Sequence, residues 1–528
     1  MRVVERKSGM PAPSLLSVFI KVMILGSVNA LALWAATILI AQKAYWLVAV
    51  LTTGCLLVDY VFLSPRAYPW RYMVPGLIFM SAMVVYPIGY TAVVAFTNYG
   101  TGHILTKEQV IANYESRATL HPDLPEYAAW FYRSDSGDFV AVLADSDGTL
   151  LVGIDGDVKE LAISGLDHTI DASSENGLPG HVGKYNQLGP FELFQYLDQL
   201  EQLQFHRGPH LLKMRSADTF ATYMPEYYYD EASDSLVDAQ TGVAYQAANG
   251  SFTNADGVSL DVGYRAWVGW TNFIRLVRSP QVAGPFVQVF VWTFMWAFLS
   301  VLTTFSLGLL LAVLLNDKRM RFRGLYRVLL IVPYAVPAFI SALVWRGLLN
   351  TEVGLVNNVL QALIGVRIPW LQEPFWAKMS LIIVNLWLGF PYMMLINLGS
   401  LQSIPDELYE AAKVDGATGW QQFYGITLPL LLVSVAPLLV SSFAFNFNNF
   451  SVIYLLTKGR PPIAGAQTPA GYTDILITYT YRLAFESSGG TDYGLASAVT
   501  ILIFLIVASL SWINFRFTGA LEEVRENA

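Results

Sequence analysis

Two apolar stretches of the sequence carry amide, hydroxyl and aromatic side chains at helical spacing. Positions 385, 389 and 392 in the first stretch, and 442, 446 and 449 in the second, fall at i, i+4 and i+7 of one helix face. With their bordering side chains, the two faces consist of Asn385, Leu388, Gly389, Tyr392, Ser442, Phe445, Asn446 and Asn449. Amides beside an aromatic ring suit a sugar, because sugar rings have apolar faces and a rim of hydroxyls.

The same amides have a second interpretation, which the residues alone leave open. An unpartnered amide in hydrocarbon costs several kcal/mol, so amides inside apolar helices also hydrogen-bond neighbouring helices. Gly389 would leave room either for a ligand or for a closely packed helix. Asn448 lies off the second face and is interpreted as structural. Ligand binding and helix packing are therefore equally consistent with the pattern.

A third apolar stretch, at 325–345, contains Pro333 and Pro337. A proline inside a helix removes a backbone hydrogen bond and bends the helix. Tyr334, between the two prolines, could face a cavity at this bend. A bend without any ligand contact fits the residues equally well.

The elements that must position these side chains are membrane-spanning helices. Apolar residues make up 54% of the 528 residues and charged residues only 14%, against about a quarter in soluble domains. The mean hydropathy is +0.44. A span needs roughly 20 mostly apolar residues to cross about 30 Å of hydrocarbon. Eight such runs are predicted, at 22–41, 45–63, 72–96, 286–315, 325–345, 379–398, 429–456 and 494–515.

Basic residues predict which ends of the runs are cytoplasmic. They cluster before the first run, after the second and after the fourth, at Arg2, Arg6, Lys7, Lys21, Arg66, Arg71, Lys318, Arg319, Arg321, Arg323 and Arg327. The first run resembles a signal peptide, but a second run follows at once and no cleavage site stands clear, so a retained anchor is predicted. Both termini are then expected in the cytoplasm. Asp59 is almost the only carboxylate in the runs, which argues against a carrier coupled to protons or sodium ions.

A long acidic segment separates the third and fourth runs. Residues 101–264 hold 25 acidic and 8 basic side chains, a net charge of −17, whereas the remainder holds 15 and 24, a net charge of +9. Alternating residues at 139–143 and 149–152, around a turn at 145–148, predict a strand hairpin, and 192–205 predict a short amphipathic helix. We expect a strand-rich, mixed α/β domain on the external side. The turn lacks the spacing and terminal Glu of a calcium-binding EF-hand loop.

No catalytic or metal-ligating cluster is predicted anywhere in the chain. Cys55 is the single cysteine and lies in an apolar run, so it has no partner for an intramolecular disulfide. No Cys and His residues have the spacing of a metal site. The pattern favours transport over chemistry.

The loop between the sixth and seventh runs has the pattern of a helix, a turn and a second helix. Pro405 precedes Asp406, which could cap a helix that extends through Ala412. Gly416 can end that helix with a positive φ, and a second short helix would lead to Pro429. By the predicted topology this loop lies at the cytoplasmic surface. An ordinary amphipathic connector is the alternative from the residues alone.

Residue by residue, this loop resembles the EAA loop of ABC importer permeases. The shared pattern is Glu-Ala-Ala, three residues, Gly, nine residues, Ile, one residue and Leu-Pro, at Glu410, Ala411, Ala412, Gly416, Ile426, Leu428 and Pro429. The resemblance implies that these residues dock on a separate ATPase, through a coupling loop at 400–429. The chain has no Gly-rich phosphate loop of its own, so ATP and Mg²⁺ are expected on the partner and no cofactor in this chain.

Almost the whole chain resembles the MalF-type permease subunits of maltose/maltodextrin importers. The resemblance includes Ala-Phe-Thr-Asn-Tyr at 95–99, Pro-Tyr-Ala-Val-Pro at 333–337, Trp-Leu-Gly-Phe-Pro-Tyr at 387–392, the 442–450 stretch and Thr-Pro-Ala-Gly-Tyr-Thr-Asp at 468–474. It implies an all-α, eight-span type I permease with a large periplasmic insert, divided as 1–96, 97–280 and 281–528. It further implies a sugar site formed by the eight residues of the two faces and Tyr334. Ala338 stands where a close relative could offer a hydroxyl.

The resemblance also implies an assembly. The expected partners are a homologous MalG-like permease, a MalK-like ATPase homodimer, a periplasmic maltose-binding protein, the sugar and the lipid bilayer, with no nucleic acid. The expected location is the bacterial inner membrane. Import of another neutral sugar or a polyol by the same machine is one alternative, and a membrane-anchored sensory or interaction protein is another.

Overall fold

The computed structural model describes residues 15–526 except 121–123, 155, 161–180, 183, 209, 318 and 488. Of the basic residues used to predict the topology, Arg2, Arg6, Lys7 and Lys318 lie outside this set. The chain divides into two compact units, Met1–Ala92 and Val93–Ala528. The expected division at 96 and 280 stays a prediction.

The first unit consists of apolar helices. They are α1 Leu15–Ala41, α2 Tyr45–Leu63, α3 Trp70–Met80 and, after a π-turn at Ser81–Val85, α4 Tyr86–Val94, which runs into the second unit. Asp59 on α2 does not stand alone, because Asn29 Nδ2 on α1 donates to both of its carboxylate oxygens at 3.0 Å. An amide thus satisfies the carboxylate inside this pair of helices.

A closed β-barrel forms most of the inserted domain. The strands are β1 Ala118–Leu120, β2 Glu126–Ser134, β3 Phe139–Ala144, β4 Leu150–Ile154, β5 Asp157–Glu160, β6 His181–Val182, β7 Tyr185–Gln187, β8 Gln204–Arg207, β9 His210–Ser216 and β10 Thr219–Pro225. Their order is β1-β10-β9-β8-β5-β4-β3-β2-β7-β6, and β10 also pairs with β2, which closes a ring of seven strands. Fully buried Phe131, Leu143, Leu212 and Phe220 fill the interior. The strand-rich insert is confirmed.

Two local predictions for this domain have different outcomes. The predicted hairpin is present as β3 and β4, and Gly148 closes its turn with φ +83°. The predicted helix at 192–205 is wrong in extent. The segment forms two short helices, α6 Pro190–Gln195 and α7 Leu197–Leu200, and Phe205 instead lies in strand β8, where its ring packs inside the barrel. The apolar spacing of this segment did not reveal the break.

A smaller layer joins the barrel to the helices. It contains α5 Lys107–Glu115 and a four-stranded antiparallel sheet of β11 Tyr227–Asp230, β12 Ser235–Asp238, β13 Ala244–Ala248 and β14 Ser251–Thr253. Asn98 belongs to the stretch at 95–99 that resembles MalF-type subunits, and it binds the segment after β14. Ala266 N donates to its Oδ1 at 2.7 Å, and its Nδ2 donates to Tyr264 O at 3.2 Å. The motif therefore ties the start of the insert to its end.

Helices make up the rest of the second unit. They are α8 Thr271–Arg278, α9 Pro280–Asn316, α10 Arg323–Ala335, α11 Ala338–Leu348, α12 Leu355–Ile364, α13 Pro374–Gln402, α14 Asp406–Val414, α15 Gly419–Gln422, α16 Leu428–Phe447, α17 Phe450–Leu456, α18 Leu476–Phe485 and α19 Tyr493–Glu526. Among the described residues, seven helical segments of both units are long and apolar enough to cross a membrane, or eight if a bent pair counts as one span.

The bent pair is α10 and α11, which meet at 89°. The residue before a proline avoids the helical conformation, and Val336 before Pro337 is extended, with φ −86° and ψ 128°. The bend predicted from Pro333 and Pro337 is thus confirmed. The predicted seventh run, 429–456, is not one helix. Helix α16 ends at Phe447, and a separate helix, α17, begins at Phe450.

Helices α9 and α13 pack against each other along the unit, and their two ends meet different segments. Helix α8 follows the strands of the inserted domain and leads into α9 at Pro280. At the far end, Leu309, Ala312 and Leu315 of α9 form one cluster with the coupling loop. The inserted domain and the coupling loop therefore lie at opposite ends of the helices.

A buried ion pair stabilises the loop 457–475, on the same side as the inserted domain. The Asp474 carboxylate is fully buried, and it accepts from Arg482 at 2.6 Å, Gly471 N at 2.8 Å and Thr478 Oγ1 at 2.9 Å. Charge pairing and hydrogen bonds together offset the cost of removing the carboxylate from water. The stretch at 468–474 that resembles MalF-type subunits therefore ends in the carboxylate that holds this loop together.

Candidate functional site

A cavity of about 620 Å³ lies among α9, α10, α11, α13, α16 and α17. All nine residues predicted as ligand-binding line it: Tyr334, Asn385, Leu388, Gly389, Tyr392, Ser442, Phe445, Asn446 and Asn449. Among the described residues that line it, none is Asp, Glu, Lys, Arg or His. A neutral molecule with hydroxyl groups suits this lining, because an ion would find no charge partner.

The two polar faces meet through their amides. Asn385 Nδ2 on α13 donates to Asn446 Oδ1 on α16 at 3.0 Å, and Asn446 Nδ2 donates to Ser442 O at 2.8 Å. Trp296 Nε1 on α9 donates to the backbone oxygen of Asn446 at 2.9 Å. The packing role and the cavity role are therefore not exclusive, since the amides that join the helices also line the cavity.

The aromatic side chains that line the cavity are more exposed than its amides. Tyr334 and Tyr392 lie nearly parallel, with ring centroids 6.3 Å apart and an interplanar angle of 18°. Their exposed fractions are 56% and 37%, and Phe445 is 70% exposed, whereas Asn385 and Asn446 are below 9%. The rings can thus contact a ligand over a wide area, while the amides offer only their edges.

Gly389 permits the close approach of two helices beside the cavity. A Cβ added here would lie 2.8 Å from Cγ2 of Thr304 on α9. Of the two roles left open for this glycine, close packing is the one with a contact in the structure. Thr304 also lines the cavity and was missed by the sequence analysis. Its hydroxyl donates to Ser300 O at 2.6 Å, and a threonine inside an apolar run gives only a weak hint.

The spacing predicted that Asn449 shares a helix face with Ser442 and Asn446, and this prediction is wrong. The helix ends at Phe447, and Asn449 caps the next helix, with its Oδ1 accepting from Val452 N at 3.4 Å. Asn449 lines the cavity from this break, together with Ser451 and Val452 of α17. The sequence analysis also did not predict the remaining residues that line the cavity, which are Pro333, Val336, Pro337, Ala338, Met393 and Ser441.

The coupling loop folds as a helix, a turn and a second helix. Helix α14 spans Asp406–Val414, two residues longer than predicted, and its N-cap is Pro405, so Asp406 lies in the first turn instead of at the cap. Gly416 has φ +78°, as expected for the end of the helix. A capping box between Thr418 and Gln421 begins α15. A five-residue π-helix at Phe423–Thr427 continues directly into α16.

The coupling loop has an exposed side and a packed side. Glu410, Ala411, Gly416 and Pro429 are exposed, and Ala412 is half-buried. The packed side includes Ile426 and Leu428, which contact the ends of α9 and α13. Val414 and Trp420 add large exposed apolar surface, at 87% and 72%. A surface of this kind is typical of a docking site for another protein.

No candidate metal site occurs in the described parts of the chain, where no three His, Cys, Asp or Glu residues cluster. In the hairpin turn Asp145 instead accepts from Arg207 at 3.2 Å. The arrangement as a whole has a neutral cavity between spans and a docking loop at one end. It is the arrangement of a membrane-spanning permease.

Family models match two parts of the chain. The family model of the binding-protein-dependent transport system inner membrane component matches residues 304–521. A second model, the N-terminal part of the membrane subunit in binding-protein-dependent ABC transporters, matches residues 78–156. The match to a chain of a solved bacterial alginate ABC transporter has 27% identity and a TM-score of 0.40. It covers 47% of this chain and 82% of the transporter chain.

Curated relatives identify the family. The maltose/maltodextrin transport system permease protein MalF of Vibrio vulnificus (strain YJ016) is 38% identical over 534 residues, which cover 98% of this chain and 99% of the relative. The MalF protein of Klebsiella aerogenes is 39% identical over 477 residues, 87% of this chain and 88% of the relative. The chain therefore belongs to the MalF family of ABC importer permeases. It is a multi-pass membrane transport subunit and not an enzyme.

Proposed function

We propose that this chain carries maltose and maltodextrins through the membrane by alternating access. The observation that supports this proposal most directly is the uncharged cavity between α13 and α16. Asn385 and Asn446 line it beside the exposed rings of Tyr392 and Phe445. The names of the curated relatives support this substrate over another neutral sugar or a polyol, and over a sensory role. The nine lining residues predicted from the sequence are proposed to contact the sugar.

Energy reaches the cavity from a partner ATPase, and the sugar comes from a binding protein. We propose that the ATPase is a MalK-like homodimer, that it holds ATP and Mg²⁺, and that Glu410, Ala411, Ala412, Gly416, Ile426, Leu428 and Pro429 dock on it. A MalG-like permease would form the other half of the pathway. A periplasmic maltose-binding protein would deliver the sugar to the side that carries the inserted domain.

The proposed location is the bacterial inner membrane, with both termini in the cytoplasm. The basic residues that cluster after the second and fourth predicted runs support a cytoplasmic location for those turns, and therefore an external inserted domain between the third and fourth runs. The separation of that domain from the coupling loop by the length of α9 fits the same orientation. Helix α9 has 37 residues, or roughly 55 Å, which is enough to cross a bilayer.

The test is transport by the whole importer reconstituted in vesicles, with the binding protein outside and ATP inside. We expect uptake of labelled maltose and maltotriose that requires both the binding protein and ATP. A panel with sucrose, glucose and sorbitol serves as the comparison. Uptake of another panel member in place of maltose would refute the substrate, and uptake without the ATPase would refute the coupling.

A further inference from the structure

The two helical parts of the coupling loop are joined by a pair of hydroxyl groups. Tyr409 lies on α14, between Leu408 and Glu410, and its OH is 3.0 Å from Oγ1 of Thr427. The Thr427 hydroxyl in turn donates to Gln422 O at 3.4 Å. Thr427 is only 6% exposed, so water competes little for its bond with Tyr409.

The covalent connection between the same two parts is poorly suited to carry a force. It passes through Gly416, which has φ +78° and no atom within 4 Å of an added Cβ. A glycine without neighbours gives way more easily than a packed residue. A push on α14 alone would therefore be absorbed at Gly416 unless contacts across the loop hold α14 to α16.

A backbone hydrogen bond from Ala417 N to Ala412 O at 2.9 Å closes the turn around Gly416, and two further kinds of contact cross the loop. Tyr409, Phe423, Ile426 and Leu428 share an apolar cluster with the ends of α9 and α13. Apolar contacts tolerate sliding because they are not directional. The hydroxyl pair fixes one point of α14 to the residue that immediately precedes α16, and a hydrogen bond weakens steeply as its angle changes.

Helix α16 leads from that fixed point to the cavity. It begins at Leu428, directly after Thr427, and it carries Ser442, Phe445 and Asn446 of the cavity. The distance along the axis from Leu428 to Asn446 is about 27 Å at ~1.5 Å per residue. A small rotation imposed at Thr427 therefore becomes a larger displacement at the cavity.

We propose that Tyr409 and Thr427 form a hydroxyl clamp that makes the coupling loop and α16 move as one lever. Both are positioning residues, since they act through α16 and contact neither ATP nor sugar. The inference rests on the proposed coupling function. It adds that the efficiency of energy transfer depends on one hydrogen bond behind the docking surface.

The experiment uses near-isosteric variants in the whole importer. Thr427→Val and Tyr409→Phe each remove one hydroxyl and keep the size of the side chain. We expect each to lower the amount of maltose transported per ATP hydrolysed by about 2- to 12-fold, the range for loss of one net hydrogen bond. Thr427→Ser keeps the hydroxyl and should restore the ratio. The double variant should be no worse than either single variant, because both remove the same bond.

The control is Thr500→Val in α19, where the lost hydroxyl donates to Ala496 O of its own helix. It should leave the transport ratio unchanged. Co-purification of the ATPase should be normal for every variant, which separates coupling from docking. An unchanged ratio in Thr427→Val and Tyr409→Phe, or effects that multiply in the double variant, would overturn the clamp. Failure of the wild-type chain to bind an ATPase at all would instead refute the proposed function.

Discussion

Removal of the Tyr392 ring should weaken occupancy of the cavity by sugar. An aromatic side chain buries about 150–250 Å² in full contact. Tyr392 is 37% exposed, so a sugar that covers the exposed part would bury about 55–90 Å² of it. At ~25 cal/mol per Å² this is worth about 1.4–2.3 kcal/mol, or about 10- to 50-fold in affinity. Tyr392→Ala forfeits this contact, whereas Tyr392→Phe keeps most of it.

The measurement is initial uptake of labelled maltose into vesicles at saturating binding protein. Tyr392→Ala should lower the rate by up to the stated factor, and Tyr392→Phe should lower it less, because it keeps the ring. Tyr326→Ala is the matched control, since Tyr326 is 46% exposed on α10 but lies outside the cavity lining. It should transport normally.

A normal rate for Tyr392→Ala would refute the cavity as the sugar site, provided that the protein assembles. Asn446→Ala gives an independent check, because it removes the amide that accepts from Asn385 Nδ2 and borders the cavity. If both alanine variants take up maltose at the wild-type rate, the sugar must pass elsewhere. A lower rate in Tyr326→Ala of the same size would point to general damage instead.

Three further predictions concern the coupling loop, the buried ion pair and the barrel. Gly416→Asp places a side chain at φ +78°, which costs roughly 1–2 kcal/mol, and should reduce sugar-stimulated ATPase activity in the assembled importer. Asp474→Asn removes the closer of the two carboxylates that pair with Arg482, since Glu486 Oε2 lies 3.6 Å from its Nε, and should lower the free energy of unfolding by about 1.5–3 kcal/mol, measured by thermal denaturation in detergent. Gly153→Val would push a side chain to within 2.6–2.7 Å of the Phe205 ring, and should cost about 1–3 kcal/mol in the same denaturation assay.

Matched variants separate these effects from general damage. Gly419→Asp adds the same charge to the coupling loop at an ordinary helical position with open space, so it should retain more ATPase stimulation than Gly416→Asp. Glu352→Gln breaks an ion pair with Arg367 in which the Glu352 side chain is 80% exposed, and should cost less than about 1 kcal/mol. Equal losses in either matched pair would contradict the reasoning from backbone conformation and from burial.

Local patterns predicted the elements of this protein well where one residue type dominates the outcome. The bend between α10 and α11 followed from two prolines, and the end of α14 followed from Gly416, because these residues restrict or free the backbone whatever surrounds them. The hairpin of β3 and β4 followed from alternation around a glycine turn. The break at Asn448 in the predicted seventh run was missed, since no proline or glycine marks it.

Amino-acid sequence by itself determined the membrane class, the polar faces at 385–392 and 442–446, and the docking pattern at 410–429, because composition and spacing act locally. Only the tertiary structure decided what those residues share. It brought Asn385 to Asn446, turned Asn449 onto a different helix at the same cavity, and set Thr304 against Gly389. It also joined Tyr409 to Thr427, eighteen residues apart. Contacts between separate helices depend on how the helices cross and where they break, which the spacing along one helix does not encode.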